Sequence, residues 1–249
     1  MKSTPAFKDH FSVQAIAYGK YRPRYPRELF AWLAANSPAR DLAVDVATGN
    51  GQAAIALAEF FHGVIATDAS AAQLKVAEEK PRVRYLCEPA ERISLPDASA
   101  DLIVAAQAAH WFDWPAFIAE ARRVLRPGGL LAFWCYGNCE SGPDIDRLLG
   151  NYSRDVVGPY WPRERRHVEE AYRELSLPFP DVAAPRFDMQ ADWDIESVLG
   201  YLGTWSATQR YRQLNGRDPL TLLAPLLAEA WGTGTQQLCW PLVIKAGRR

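Results

Sequence analysis

The stretch Val44-Asp45-Val46-Ala47-Thr48-Gly49-Asn50-Gly51 is an apolar strand that runs into a glycine turn, and the next apolar run, Gly63 to Thr67, ends at Asp68. Between them, Gly51 to Phe61 spaces Ile55, Ala58 and Phe61 as one buried helix face. Small residues in the turn let the backbone approach a ligand closely. A dinucleotide-binding turn would read G-x-G-x-x-G, but here the third small position follows a single spacer and Gln52 stands where the last glycine is needed. That spacing favours a nucleoside without a pyrophosphate, because a pyrophosphate needs several N–H groups at a helix start. Asp68 lies seventeen residues after Gly51, at the end of the second strand. Two carboxylate oxygens there match the two vicinal hydroxyls of a ribose. Ser70 is an N-cap for a helix over Ala71 to Glu79, which Pro81 closes.

The same alternation continues outward. Strands are expected at Leu42 to Ala47, Val83 to Cys87, Asp101 to Ala106 and Leu130 to Cys135, with a helix over Ala116 to Leu125 and a turn at Pro127-Gly128-Gly129. With Gly63 to Thr67 this makes five β segments with helices between them, the pattern of a parallel sheet. Beyond Gly137, polar helices are broken by Pro143, Pro159, Pro162, Pro178 and Pro180. A terminal apolar run, Gln237 to Ala246, reads as a strand, and Pro241 places it at or near the sheet edge. The expected organisation is one domain over 1–249: an amino-terminal lid and first helix (1–40), a binding core (41–136), cap helices with a late strand (137–235) and a terminal strand (236–249).

At 249 residues and 49% hydrophobic composition, the chain can bury one sizeable core. Twenty-eight basic residues balance 29 acidic ones without a long single-sign run, which argues against a nucleic-acid partner. Met1 to His10 contains Lys2, Lys8 and Asp9, and no apolar stretch is long enough for a signal peptide or a membrane span. A cytoplasmic protein with a small-molecule substrate and no membrane partner is expected, as a monomer or homodimer. Cys87, Cys135, Cys139 and Cys239 lack metal-site spacing, so no metal is expected and the thiols read as free and apolar or semi-buried.

Several segments together carry a family resemblance: Phe11 through Tyr18 to Arg22-Pro23-Arg24-Tyr25-Pro26, the Asp45 to Gly51 turn, Gln107-Ala108-Ala109-His110-Trp111-Phe112, Val124 to Gly129, Tyr201 to Ser206 and Trp240-Pro241-Leu242. Over almost its whole length the chain resembles class I S-adenosylmethionine-dependent methyltransferases, in particular the small-molecule branch that includes trans-aconitate methyltransferases. The resemblance implies a Rossmann-like α/β fold: a seven-stranded, mostly parallel sheet with an antiparallel last strand, helices on both faces and helical lid insertions. S-adenosyl-L-methionine would lie across the carboxyl ends of the first, second and fourth strands. It would be held by Asp45, Ala47, Thr48, Gly49 and Gly51 at the turn, by Asp68, Ala69 and Ser70 near the ribose, by Ala90 and Glu91 at the adenine, and by Gln107 and Ala108 after the fourth strand. The Ala47 carbonyl and Asp45 would accept from its ammonium, while Tyr18 and Arg22 would close on its carboxylate. Two residues depart from the family pattern. Ala47 replaces the first glycine, which is tolerated if its φ is negative, and Pro89 replaces an aspartate that commonly bonds the adenine amine.

A sulfonium is already a good leaving group, so such an enzyme mainly aligns a nucleophile behind the methyl carbon and excludes water. His110, just past the fourth strand, is the candidate for acid/base or orienting work. Trp111 is a candidate substrate wall, whereas Phe112 and Trp114 read as core. Trp205 and Arg210, around Thr204-Trp205-Ser206, are candidates to roof the substrate. Arg163-Glu164-Arg165-Arg166-His167 reads as a solvated helix face. The expected reaction is methyl transfer to a small molecule, on oxygen, with a carboxylate favoured by the resemblance alone. Two other readings remain open at this stage: a nicotinamide-dependent oxidoreductase, against which Gln52 counts, and a nucleoside-binding module without catalysis.

Overall fold

The computed structural model describes residues 21–249, so Tyr18 lies outside the described residues. Helix α1 (Arg27–Asn36) precedes β1 (Leu42–Val46), α2 (Gln52–Leu57), β2 (Gly63–Asp68), α3 (Ala71–Leu74) and β3 (Val83–Cys87). Then come β4 (Ala100–Ala106), a 3-10 turn (Ala109–Trp111), α4 (Trp114–Val124) and β5 (Leu125–Cys135). The cap is built from α5 (Pro143–Asn151), α6 (Arg165–Glu169), β6 (Asp188–Trp193), α7 (Ile195–Gly203), α8 (Ser206–Asn215) and α9 (Leu220–Trp231), before β7 (Gln236–Pro241) and β8 (Val243–Arg248).

The main sheet has the order β3-β2-β1-β4-β5-β8, parallel except for β8, which runs antiparallel to β5. Its central strands β1 and β4 are almost wholly buried because both faces are covered. Ala43, Leu102, Val104 and Leu130 pack with α1 and α2 residues such as Leu33 and Leu57, whereas Val44, Val46, Ile103 and Leu131 pack with Phe117 and Ala121 of α4. The chain order reverses between β1 and β4, and the crevice beyond the carboxyl ends of strands at such a switch point is where open α/β sheets take ligands.

The sheet has six strands, not the expected seven. Outside β8 the chain makes only a bridge between Asp181 and Gly247, with Val182 N–H donating to Ala246 and Arg248 N–H to Pro180. Pro178, Pro180 and Pro185 remove the donors a full ladder would need there. The terminal run is two strands rather than one. Pro241 ends β7, which pairs with β6 in a separate two-stranded sheet, and the chain re-enters the main sheet as β8. Two helices are shorter than expected, α2 stopping at Leu57 and α3 at Leu74. After α3, the Tyr85 hydroxyl donates to the Glu78 carbonyl at 2.8 Å.

Candidate functional site

The glycine turn lies at the switch point. Asp45, inside β1, is fully buried. Its Oδ2 accepts the Thr48 hydroxyl at 2.5 Å, while Oδ1 has no hydrogen-bond partner. Burial pushes the carboxyl up to about 7, against the Thr48 hydrogen bond and with help from the negative charge of Asp68. An orphaned, buried carboxylate oxygen is a fitting place for a cationic ligand group. Ala47 has φ 54°, so the condition of a negative φ fails and the alanine is held in the left-handed region. Thr48 N–H, bonded to Thr67 at 2.9 Å, ties the turn to the end of β2.

Asp68 completes the tie. Its Oδ2 accepts Gly49 N–H and its Oδ1 accepts Ser70 N–H, both at 2.8 Å. Ser70 caps α3 by accepting Gln73 N–H, as its position in the sequence implied. Gly51 has φ 87°, and a Cβ there would collide with the Tyr85 hydroxyl. Tyr85, which the sequence reading did not single out, therefore packs against the turn from β3. Burial and the Asp45 charge push its phenol up to about 12.

On the adenine side, Ala90 is buried and Glu91 Oε1 accepts Asp113 N–H at 2.9 Å, fixing the entrance to α4. Gln107, after β4, has φ 55°; its amide grips the Tyr136 backbone, donating to the carbonyl at 3.1 Å and accepting the N–H at 2.8 Å. Ala108 beside it is buried.

Directly beyond β4 and β5 lies a cavity of about 70 Å³ that is partly open to solvent. Gln107, His110, Trp111 and Tyr136 line it from the sheet, and Trp161, Arg165, Tyr201 and Trp205 line it from the cap. Arg22 enters it as well, donating to the Tyr136 hydroxyl at 3.0 Å with its guanidinium 5.1 Å from the Tyr201 ring centre. Arg165 stacks over Trp161 at 4.4 Å and lies 3.6 Å from Glu169; its Nε is buried without a hydrogen-bond partner. Burial lowers the Arg165 pKa, and the like charge of Arg22 adds to this. His110 is pulled down to about 3 by burial, then by the charges of Arg165 and His167, so its imidazole is neutral.

These positions revise the expectations for the cap. Arg165 turns into the cavity while Arg166 keeps its side chain mostly in solvent, so the 163–167 segment is only partly a solvated face. Arg210 is exposed and is not among the cavity residues, whereas Trp205 is buried and lines it. Trp114 belongs to the core, its ring 4.9 Å from Phe133 and its N–H bonded to Ser176.

Residues 44–133 match the family described as methyltransferase domain. A protein of Dictyostelium discoideum assigned to the methyltransferases is 32% identical over 231 residues, covering 91% of this chain and 88% of that one. A solved structure from Anaeromyxobacter dehalogenans, assigned as a type II methyltransferase, superposes with a TM-score of 0.86 at 46% identity, covering 92% of this chain and 98% of that one. The malonyl-[acyl-carrier protein] O-methyltransferase of a Marinomonas strain is 33% identical over 132 residues, 50% of this chain and 48% of its own.

Proposed function

Since the chain belongs to the S-adenosylmethionine-dependent methyltransferases, we propose that it moves the methyl group of this cofactor onto an oxygen of a small carboxylate held in the cavity beyond β4. One observation carries the choice of acceptor: the Arg165 guanidinium lies in an aromatic-walled cavity with an uncharged imidazole. Guanidiniums suit carboxylates in charge and in planar geometry. The resemblance to an O-methyltransferase of malonyl-[acyl-carrier protein] supports transfer to oxygen.

The cofactor's residues are proposed from the same geometry. The orphaned Asp45 Oδ1 and the Ala47 carbonyl would take the ammonium, and the Asp68 carboxylate at the end of β2 the ribose hydroxyls. Gly49 and Gly51 would leave room for the nucleoside, with Thr48, Ala69, Ser70, Ala90, Glu91 and Ala108 around it and Arg22 at the carboxylate end; Gln107 would act by shaping the β4 loop through Tyr136. When bound, the cofactor supplies an electrophilic methyl on a sulfonium. The chain supplies position. Arg165 holds the acceptor carboxylate, Trp111, Trp161 and Trp205 exclude water, and a carboxylate ionised at pH 7 needs no base.

Incubation with deuteromethyl-labelled S-adenosylmethionine and a panel of aromatic and unsaturated carboxylic acids, phenols and amines, read by mass spectrometry, tests this. Labelled methyl esters are expected. Labelled ethers or amines without esters would reject the carboxylate reading.

A further inference from the structure

Tyr172 is fully buried behind the cavity, and its hydroxyl sits 2.9 Å from His110 Nδ1. The backbone goes to some length to put it there. Ala171 and Tyr172 follow α6 with φ 54° and 53°, two successive L-residues in the left-handed region, pinned by Tyr172 N–H to His167 at 2.7 Å. The ring packs against Phe133, centre to centre 5.6 Å.

The direction of the Tyr172 to His110 hydrogen bond decides what His110 can do. Tyr172 is fully buried, and among the described residues His110 Nδ1 is the hydrogen-bond partner of its hydroxyl. A buried O–H is costly to leave unmade, so it donates to Nδ1, whereas the other imidazole nitrogen can be met from the cavity. His110 lines the cavity and Tyr172 does not, so the Nδ1 edge faces the protein and the Nε2 edge the acceptor.

We propose that Tyr172 is a positioning residue that donates to Nδ1 and thereby fixes His110 as the Nε2–H tautomer, a hydrogen-bond donor to the acceptor and not a base. The inference rests on the acceptor site assigned above and sharpens it. A donor N–H selects an acceptor atom that arrives without its proton, as a carboxylate oxygen does. It disfavours phenols and amines that must lose a proton in the cavity. The charged and titratable groups facing His110 are Arg165, His167 and Tyr172. Burial keeps the Tyr172 phenol protonated, as the proposed donor must be.

Long-range 1H–15N correlation spectra of the imidazoles in the full-length protein, loaded with S-adenosylhomocysteine, read the tautomer directly. His110→Gln identifies the resonances. The expected result is a protonated Nε2 and an unprotonated Nδ1, unchanged from pH 5 to 8. Tyr172→Phe should give a mixture of tautomers, and benzoate, used as an anion probe, should bind that variant about tenfold more weakly, the equivalent of one hydrogen bond. A protonated Nδ1 in the wild type, or an undisturbed tautomer in Tyr172→Phe, overturns the proposal. If Tyr172→Phe misfolds, the wild-type spectrum alone still decides. Because the spectrum needs no turnover, an Nε2–H tautomer in a protein that makes no methyl ester would keep the positioning role and reject the carboxylate acceptor.

Discussion

Asp45 offers the sharpest test of how the turn meets its cofactor. Its carboxyl, fully buried, rises from 3.8 to about 7. The folded protein therefore holds a proton that the unfolded chain has released between those values, so the contribution of this carboxyl to ligand-free stability is greatest below pH 4 and falls as pH rises towards 7. The ceiling on that loss is about 4 kcal/mol, three units at about 1.4 kcal/mol each. An ammonium beside Oδ1 reverses the penalty, because it favours the charged carboxylate. Binding should then release a proton below pH 7, and affinity for S-adenosylhomocysteine at pH 5.5 should be about thirtyfold weaker than at pH 8. Urea unfolding of the wild type and Asp45→Asn from pH 5 to 8 isolates the carboxyl, since other titrating groups cancel in the difference. Asp45→Asn should gain on the wild type as pH rises, yet bind S-adenosylhomocysteine more weakly at pH 8. A pH-independent stability difference together with pH-independent binding would refute the reasoning.

Three further outcomes follow from the same geometry. Ala47→Gly relieves a left-handed alanine, worth about 1–2 kcal/mol, but lengthens the list of unfolded conformers, so a net gain of about 0.5–1 kcal/mol in urea unfolding is expected. Gly51→Ala meets the Tyr85 hydroxyl at φ 87° and should abolish S-adenosylhomocysteine binding in calorimetry; adding Tyr85→Ala should restore folding stability only in part, since the positive φ remains. Arg165→Met should raise the KM for a carboxylate acceptor by about 10–100-fold, the loss of one charge-assisted contact, while leaving S-adenosylhomocysteine affinity within twofold.

The sheet was legible because its rules are local. Val83–Cys87 is a strand over the residues the apolar run marks, and the turn from Val46 to Gly51 is where the glycines and Asp68 put it. The cap was less so. Nothing in Arg163 to His167 distinguishes Arg165 from Arg166; only docking against Trp161 turns one guanidinium inward and leaves the other in water. Likewise Pro241 was a signal of a missing donor, but whether it marks a sheet edge or the break between two sheets depends on β6, which lies nearly fifty residues earlier. Tyr172 gave no signal at all, since a tyrosine after a charged helix is as ordinary outside a site as within one.

Tyr172 shares a backbone property with two of the candidate cofactor residues, Ala47 and Gln107. Among the described residues six non-glycine residues have positive φ, and four of them, Ala47, Gln107, Ala171 and Tyr172, lie at the turn, after β4 or behind His110. Each is a conformation that costs about 1 kcal/mol or more, and such strain persists only where the surroundings over-determine it. Here they do: Thr48 N–H is fixed to Thr67, Gln107 clasps the Tyr136 backbone with both ends of its amide, and Tyr172 N–H is fixed to His167. The strained positions set the turn, the β4 loop and the phenol behind His110, the three parts that the proposed transfer brings together. Rigid strands deliver these segments to one place. The strain and its restraints are what aim them.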